Sequence, residues 1–119
     1  MILVDTSVWI DHFREANERL VELLSRTSVR MHPFIVGELA SGNLASRAAI
    51  LELLGQLPAA AVAEQHEVLE FVARRRLHGK GIGWVDVHLL ASAALNGDQL
   101  WTRDRSLQAV AHELGCGVV

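Results

Sequence analysis

Apolar residues along this chain fall into two alternating patterns, short unbroken runs and longer stretches at helical spacing. Ile2-Leu3-Val4 is a continuous run of the kind carried by a buried strand of a parallel sheet, and it stops at Asp5-Thr6-Ser7. A helix is expected to follow through Val8-Trp9-Ile10 and Phe13. Leu20, Val21, Leu23 and Leu24 mark a second amphipathic segment that ends near Ser25-Arg26-Thr27. Val29-Arg30-Met31 reads as another short strand. Pro33 suits the first turn of a helix that carries Glu38 and stops at Ser41-Gly42-Asn43. Ala45 to Leu54 is helical in composition and ends at Gly55. Pro58 then opens a connector into the alanine-rich stretch 59–63, to which the pattern assigns no element.

Farther on, Val68, Leu69, Val72 and Ala73 give Glu64 to Leu77 a helical stripe that terminates at His78-Gly79. The loop Gly79-Lys80-Gly81-Ile82-Gly83 feeds a strongly apolar helix from Val85 to Leu95, closed by Asn96-Gly97. Gln99 to Thr102 reads as a strand, Ser106 to Leu114 as a short amphipathic helix and Cys116 to Val119 as a last strand. Strands and helices alternate without repeats or a linker. The fold class expected is therefore α/β, a three-layer sandwich whose mainly parallel central sheet of about four or five strands is flanked by helices. At 119 residues, half of them apolar, the chain suits a single domain over 1–119 with one core.

Composition narrows the class. No apolar run reaches the roughly 18 residues that cross a bilayer, and the opening Met-Ile-Leu-Val lacks the pattern of a signal peptide, so no membrane and a cytoplasmic location are expected. The one cysteine, Cys116, permits no internal disulfide and no cysteine-based metal site. His12, His32, His66, His78, His88 and His112 show no paired ligand spacing, which argues against a histidine general base. A net charge of -3 does not announce a nucleic-acid binder, but the charge is uneven. Arg74, Arg75, Arg76 and Lys80 cluster, and Arg103 and Arg105 flank Asp104, so these six form a candidate basic rim that would contact a polyanion.

Four acids stand in apolar company: Asp5 after Ile2-Leu3-Val4, Glu38 after Phe34-Ile35-Val36, Asp86 after Trp84-Val85, and Asp104 beyond Leu100-Trp101. Each reads as a buried acid at an element boundary. In a parallel sheet ligands gather beyond the carboxyl ends of the strands, where Asp5 and Asp104 fall, while Asp86 and Glu38 are expected to point inward from their helices. Two unit charges 4 Å apart repel by roughly 4 kcal/mol at an effective dielectric of about 20, so four carboxylates sharing one point demand a cation. An all-oxygen ligand set favours Mg²⁺, with Mn²⁺ as a substitute, and the hydroxyls of Thr6, Ser7 and Thr102 stand ready to orient water or ligands. Each acid alone has a plainer role. Asp5 and Asp104 suit helix caps, Asp86 suits a helix N-terminus, Glu38 suits a solvated helix face if its helix is rotated from the expected placement, and Asp11 is read as structural.

Together these fragments resemble the PIN-domain ribonucleases, and more closely the VapC toxins of bacterial toxin-antitoxin pairs. The resemblance is carried by Ile2-Leu3-Val4-Asp5-Thr6-Ser7-Val8-Trp9-Ile10-Asp11, Glu38-Leu39-Ala40, Gly81-Ile82-Gly83-Trp84-Val85-Asp86 and Thr102-Arg103-Asp104, in the family's order and over the whole chain. It implies a PIN-like fold and a Mg²⁺- or Mn²⁺-dependent endoribonuclease that cleaves RNA by metal-activated water. Asp5, Glu38, Asp86 and Asp104 would be its catalytic, metal-binding acids. A homodimer, a larger toxin-antitoxin assembly and inhibition by a small cognate antitoxin are implied as well. The chain departs from some relatives in having Arg105 and Ser106 where they carry a further acid.

Ala48, Ile50, Leu51, Leu53, Leu54, Val68, Leu69 and Val72 exceed what one small core needs and are candidates for a dimer or antitoxin surface. Trp9, Trp84 and Trp101 are expected in the core or an interface, with Trp84 the best candidate for stacking on a base. The Gly79 to Gly83 loop is read as a tight turn more readily than as a phosphate cradle. The alternative reading is a Mg²⁺-binding, receiver-like signalling module without nuclease activity. It normally needs a lysine after a late strand, and Lys80 lies in a loop before a helix. A phosphatase with an aspartyl nucleophile would need a second Asp where Ser7 stands.

Overall fold

In the computed structural model, which describes residues 1–118, three parallel strands form the centre: β1 (Ile2–Val4), β2 (Val29–Arg30) and β3 (Gln99–Trp101), in the order β2-β1-β3. Registers run Ile2 to Val29 on one side of β1 and Ile2 to Gln99 on the other. Every residue of β1 is buried, as its unbroken apolar run requires for a strand covered on both faces. The sheet is smaller than the expected four or five strands. Met31 makes one parallel bridge to Ala59, and Leu100 makes one to Gly117, so the outer segments on both edges touch the sheet at a single residue each. The last expected strand, Cys116 to Val119, is thus one bridge within the described residues, and Val119 lies outside them.

Around the sheet stand α1 (Thr6–Arg14), α2 (Glu18–Ser25), α3 (Pro33–Ser41), α4 (Arg47–Gly55), α5 (Gln65–Arg75), α6 (Trp84–Asn96) and α7 (Arg105–Glu113). Their starts follow local chemistry. Asn17 accepts from the Leu20 N–H at 3.0 Å and caps α2, and Pro33 occupies the first turn of α3. Asp104 accepts from the Leu107 N–H at 3.0 Å and caps α7. The most deeply embedded helix is α6. Seven consecutive residues, Val87 to Ala93, are buried, so burial runs right round the helix rather than along one stripe and takes in the polar His88 and Ser92. It ends at Gly97, whose φ of 66° is the left-handed turn that lets the Asp98 N–H return to the Ala93 carbonyl at 2.9 Å.

One apolar cluster runs from Ile2 through Leu20, Ile35, Val68, Leu89 and Leu90 to Leu107 and Cys116. It absorbs part of the apolar surplus read from the sequence, because Leu54 and Val68 are buried and Ile50, Leu51 and Val72 pack against the cluster. Leu53 and Leu69, more than half exposed, and Ala48 remain on the surface. The buried acid with a full set of partners is one the sequence did not single out. Asp98, at the start of β3, lies 2.7 Å from Arg30 Nε and 3.3 Å from the Met1 amino group, far down the sheet from Asp5. No helix among the described residues is long and apolar enough to cross a membrane.

Candidate active site

Asp5 is the pivot. It follows directly on β1, its N–H bonds to the Trp101 carbonyl at 2.8 Å, and it precedes α1 without capping it. Its Oδ2 accepts instead from Ser7 Oγ at 2.7 Å and from Thr102 Oγ1 at 2.8 Å. Thr102 Oγ1 accepts in turn from the Asp104 N–H, and Ser7 Oγ from the Arg103 N–H, both at 3.1 Å. Two hydroxyls therefore lock the carboxyl ends of β1 and β3 together around one buried carboxylate. The second oxygen, Oδ1, has no protein partner among the described residues, which leaves it free for a ligand.

Three more carboxylates come to the same end of the sheet. Asp86, in the first turn of α6, accepts from the Gly83 N–H at 3.1 Å. Glu38 projects from α3 and accepts from Thr6 Oγ1 at 2.6 Å, while Asp104 stands at the start of α7. Burial pushes the Asp86 carboxyl above the usual carboxylate range, the Gly83 N–H opposes this, and the charges of Asp5, Asp104 and Glu38 push it up further. The other three acids therefore lie within electrostatic range of Asp86. None of them lies within ion-pair distance of a basic group among the described residues, in contrast to Asp98 and Asp11.

The ring is more open than the sequence suggested. Asp5 is 8% exposed and Asp86 half-buried, but Glu38 and Asp104 are exposed, which corrects the expectation of four buried acids. In α3 the buried residues are Ile35 and Leu39, one turn apart, and Glu38 lies about 100° round the helix from Leu39 and so flanks the core instead of entering it. Among the described residues no three His, Cys, Asp or Glu side chains are gathered tightly enough to cage an ion by themselves. The donor set suits a hard dication that keeps waters in its shell and touches few carboxylates directly, as Mg²⁺ does. Removing one charge should show the strain: Asp86→Asn keeps an acceptor for the Gly83 N–H and is expected to raise the thermal midpoint in chelator, measured by differential scanning calorimetry.

Hydroxyls expected to orient water hold carboxylates here: Ser7 and Thr102 serve Asp5, and Thr6 serves Glu38. The basic candidates divide. Arg103 and Arg105 flank Asp104 at the acidic end. Arg74 pairs with Glu70 at 2.5 Å, and Arg74 and Arg75 line a cleft with Ala91, Ala94 and Leu95, along the half of α6 away from Asp86. Arg76 ends α5 in a left-handed turn, and Lys80 Nζ is 3.5 Å from Glu113 rather than near an acid of the ring. Trp9 is buried, Trp101 lies under the Arg19 guanidinium at 5.3 Å, and Trp84, 42% exposed, is the indole beside Asp86.

Two pairings were not foreseen, the first of them at Asp11, which was read as structural. Asp11 Oδ2 lies 2.7 Å from Arg103 Nε, and its spacing of four from Ser7, which holds the Arg103 backbone, was the available signal. His32 and His88 bracket the Phe34 ring, with centroids 4.9 and 4.7 Å from it, between the helices that carry Glu38 and Asp86. His32 Nδ1 accepts from the Phe34 N–H at 2.9 Å, so its proton sits on Nε2, which is buried without a partner, as is His88 Nδ1. Burial, then the neighbouring His88, lowers the His32 imidazole to about 4.

A family model described as PIN domain matches residues 2–113. Ribonuclease VapC32 of Mycobacterium tuberculosis, in strains CDC 1551 / Oshkosh and ATCC 25618 / H37Rv, is 51% identical over 116 residues, covering 97% of this chain and 94% of the relative. The stretch matched by the family model contains Asp5, Glu38, Asp86 and Asp104, and the chain belongs to the PIN-domain family.

Proposed function

We propose that this chain is a metal-dependent endoribonuclease, the toxin of a toxin-antitoxin pair, with residues 1–119 acting as one catalytic unit. The observation that carries the reading is the gathering of four carboxylates without basic partners at one end of the sheet, where burial first and then the charges of the other three raise the Asp86 carboxyl. Similarity to a protein named as a ribonuclease supports the same substrate class. In this reading Asp5, Glu38, Asp86 and Asp104 hold Mg²⁺ or Mn²⁺. Bound there, such an ion activates water and stabilises charge on the phosphoryl group. The chain's own residues do the rest. Asp5 and Asp86 form the fixed floor, held by Ser7, Thr102 and the Gly83 N–H, and Glu38 and Asp104 close the rim. Arg103 and Arg105 offer cations to the RNA backbone.

The partner reading has a place on the surface. A cleft lined by Ile10, Phe13, Leu39 and Leu44 opens beside Glu38 and Arg14, apolar along its floor and charged at its lip. A cognate antitoxin segment laid there would reach the acids, and a homodimer in the cytoplasm completes the proposed assembly. Cleavage of an RNA substrate is expected to stop in EDTA and to return with excess Mn²⁺ or Mg²⁺, followed by gel electrophoresis of labelled RNA. Cutting that continues unchanged in chelator would overturn the metal assignment.

A further inference from the structure

We infer that Asp11 is a positioning residue that aims the Arg103 guanidinium at an RNA phosphate beside the carboxylate ring, a role that rests on the ribonuclease reading above. Arg103 sits between Thr102, which donates to Asp5, and Asp104, a member of the ring. Its position is fixed twice by α1. The backbone N–H donates to Ser7 Oγ, and one turn later Asp11 Oδ2 lies 2.7 Å from Nε. Ser7 and Asp11 are four residues apart and share a helix face, so the helix that orients Asp5 also orients the neighbouring cation.

The pair leaves the useful part of the arginine open. Nε makes the closest approach to Asp11, and neither Nη group donates a hydrogen bond to the protein among the described residues, with the side chain 61% exposed. Two free amino groups on a planar fork match the oxygens of a phosphate. Asp11, Arg14, Glu15, Asn17 and Arg103 line one cleft along the C-terminal half of α1, so a strand running from Asp104 along α1 would pass the guanidinium. Holding a long side chain in its bound direction beforehand removes part of the ordering cost of binding.

The test is binding of a short labelled single-stranded RNA in Mg²⁺, by fluorescence anisotropy over a range of salt, in an Asp5→Asn background that keeps the RNA uncut. Arg103→Gln is expected to weaken binding about tenfold and to lower the salt slope by about 0.7, the value of one phosphate contact on a single strand. Arg103→Lys should restore the slope and not the affinity. Asp11→Asn is expected to weaken binding about threefold although it removes a negative charge, and to have no further effect once Arg103 is Gln. Tighter or unchanged binding by Asp11→Asn, or an unchanged slope in Arg103→Gln, overturns the inference. So does a lowered thermal midpoint in both variants with affinity and slope intact, the signature of a merely structural tie. Cleavage by the Asp5 chain and its loss in Asp5→Asn test the ribonuclease reading separately.

Discussion

Asp5→Asn is expected to lower RNA cleavage by about a thousandfold while the protein stays folded, a loss of roughly 4 kcal/mol of transition-state stabilisation. The two effects separate because the carboxylate does two jobs with two oxygens. Oδ2 accepts from Ser7 and Thr102 and so holds β1 to β3, and an asparagine carbonyl can accept both hydrogen bonds in the same place. Oδ1 has no protein partner, and it is there that the amide replaces a charged ligand with a donor. Losing one of four like charges also relieves the neighbouring Asp86, so the midpoint in chelator is expected to stay level or rise. Single-turnover cleavage with saturating Mg²⁺ and a calorimetric melt decide the matter. Full activity in the variant removes the proposed chemistry, and an unfolded variant removes the claim that Oδ2 alone carries the structure.

Acid is expected to weaken the fold through His32. Its imidazole is fully buried and lowered from 6.5 to about 4, so the unfolded chain takes up a proton there that the folded chain refuses. A histidine of this kind contributes stability that is complete above pH 6.5 and is lost as the pH falls from 6.5 toward 4, by about 3 kcal/mol in total. His88, also lowered by burial, adds to the same trend, whereas the raised Asp86 carboxyl acts in the opposite sense and gives stability back as it protonates. His32→Asn keeps an acceptor for the Phe34 N–H at the start of α3 and cannot titrate. Urea midpoints measured from pH 7 to pH 4 should therefore fall more steeply for the parent than for the variant. Parallel curves would show that His32 is not the acid-sensitive group.

Much of this was written in the order of residues and some of it was not. A continuous apolar run marked β1, and Pro33 and the Asn96-Gly97 pair marked the start of α3 and the end of α6, because those signals are local. Cys116 to Val119 has the composition of a strand, yet pairing depends on the neighbour, and only Gly117 meets Leu100. The four acids were visible as motifs at element boundaries, but their exposure was misjudged. Helix rotation decides that, and the buried pair Ile35 and Leu39 sets the rotation of α3. Asp98 looked ordinary because its partners, Arg30 and the Met1 amino group, lie at the far end of the numbering. His32 and His88, 56 positions apart, meet only once α3 and α6 are placed, and no spacing rule reaches that far.

The embedding of α6 bears on which metals such a centre would tolerate. With Val87 to Ala93 enclosed on every side, the backbone beneath Asp86 has nowhere to shift, and Asp5 is pinned by two hydroxyls. Any difference in ionic radius would then be taken up by the solvent-facing carboxylates of Glu38, whose side chain is the longest of the four, and the cap-forming Asp104. Selectivity would accordingly be tuned from the outside inward, by exchanges at α3 and the start of α7, with the interior left untouched.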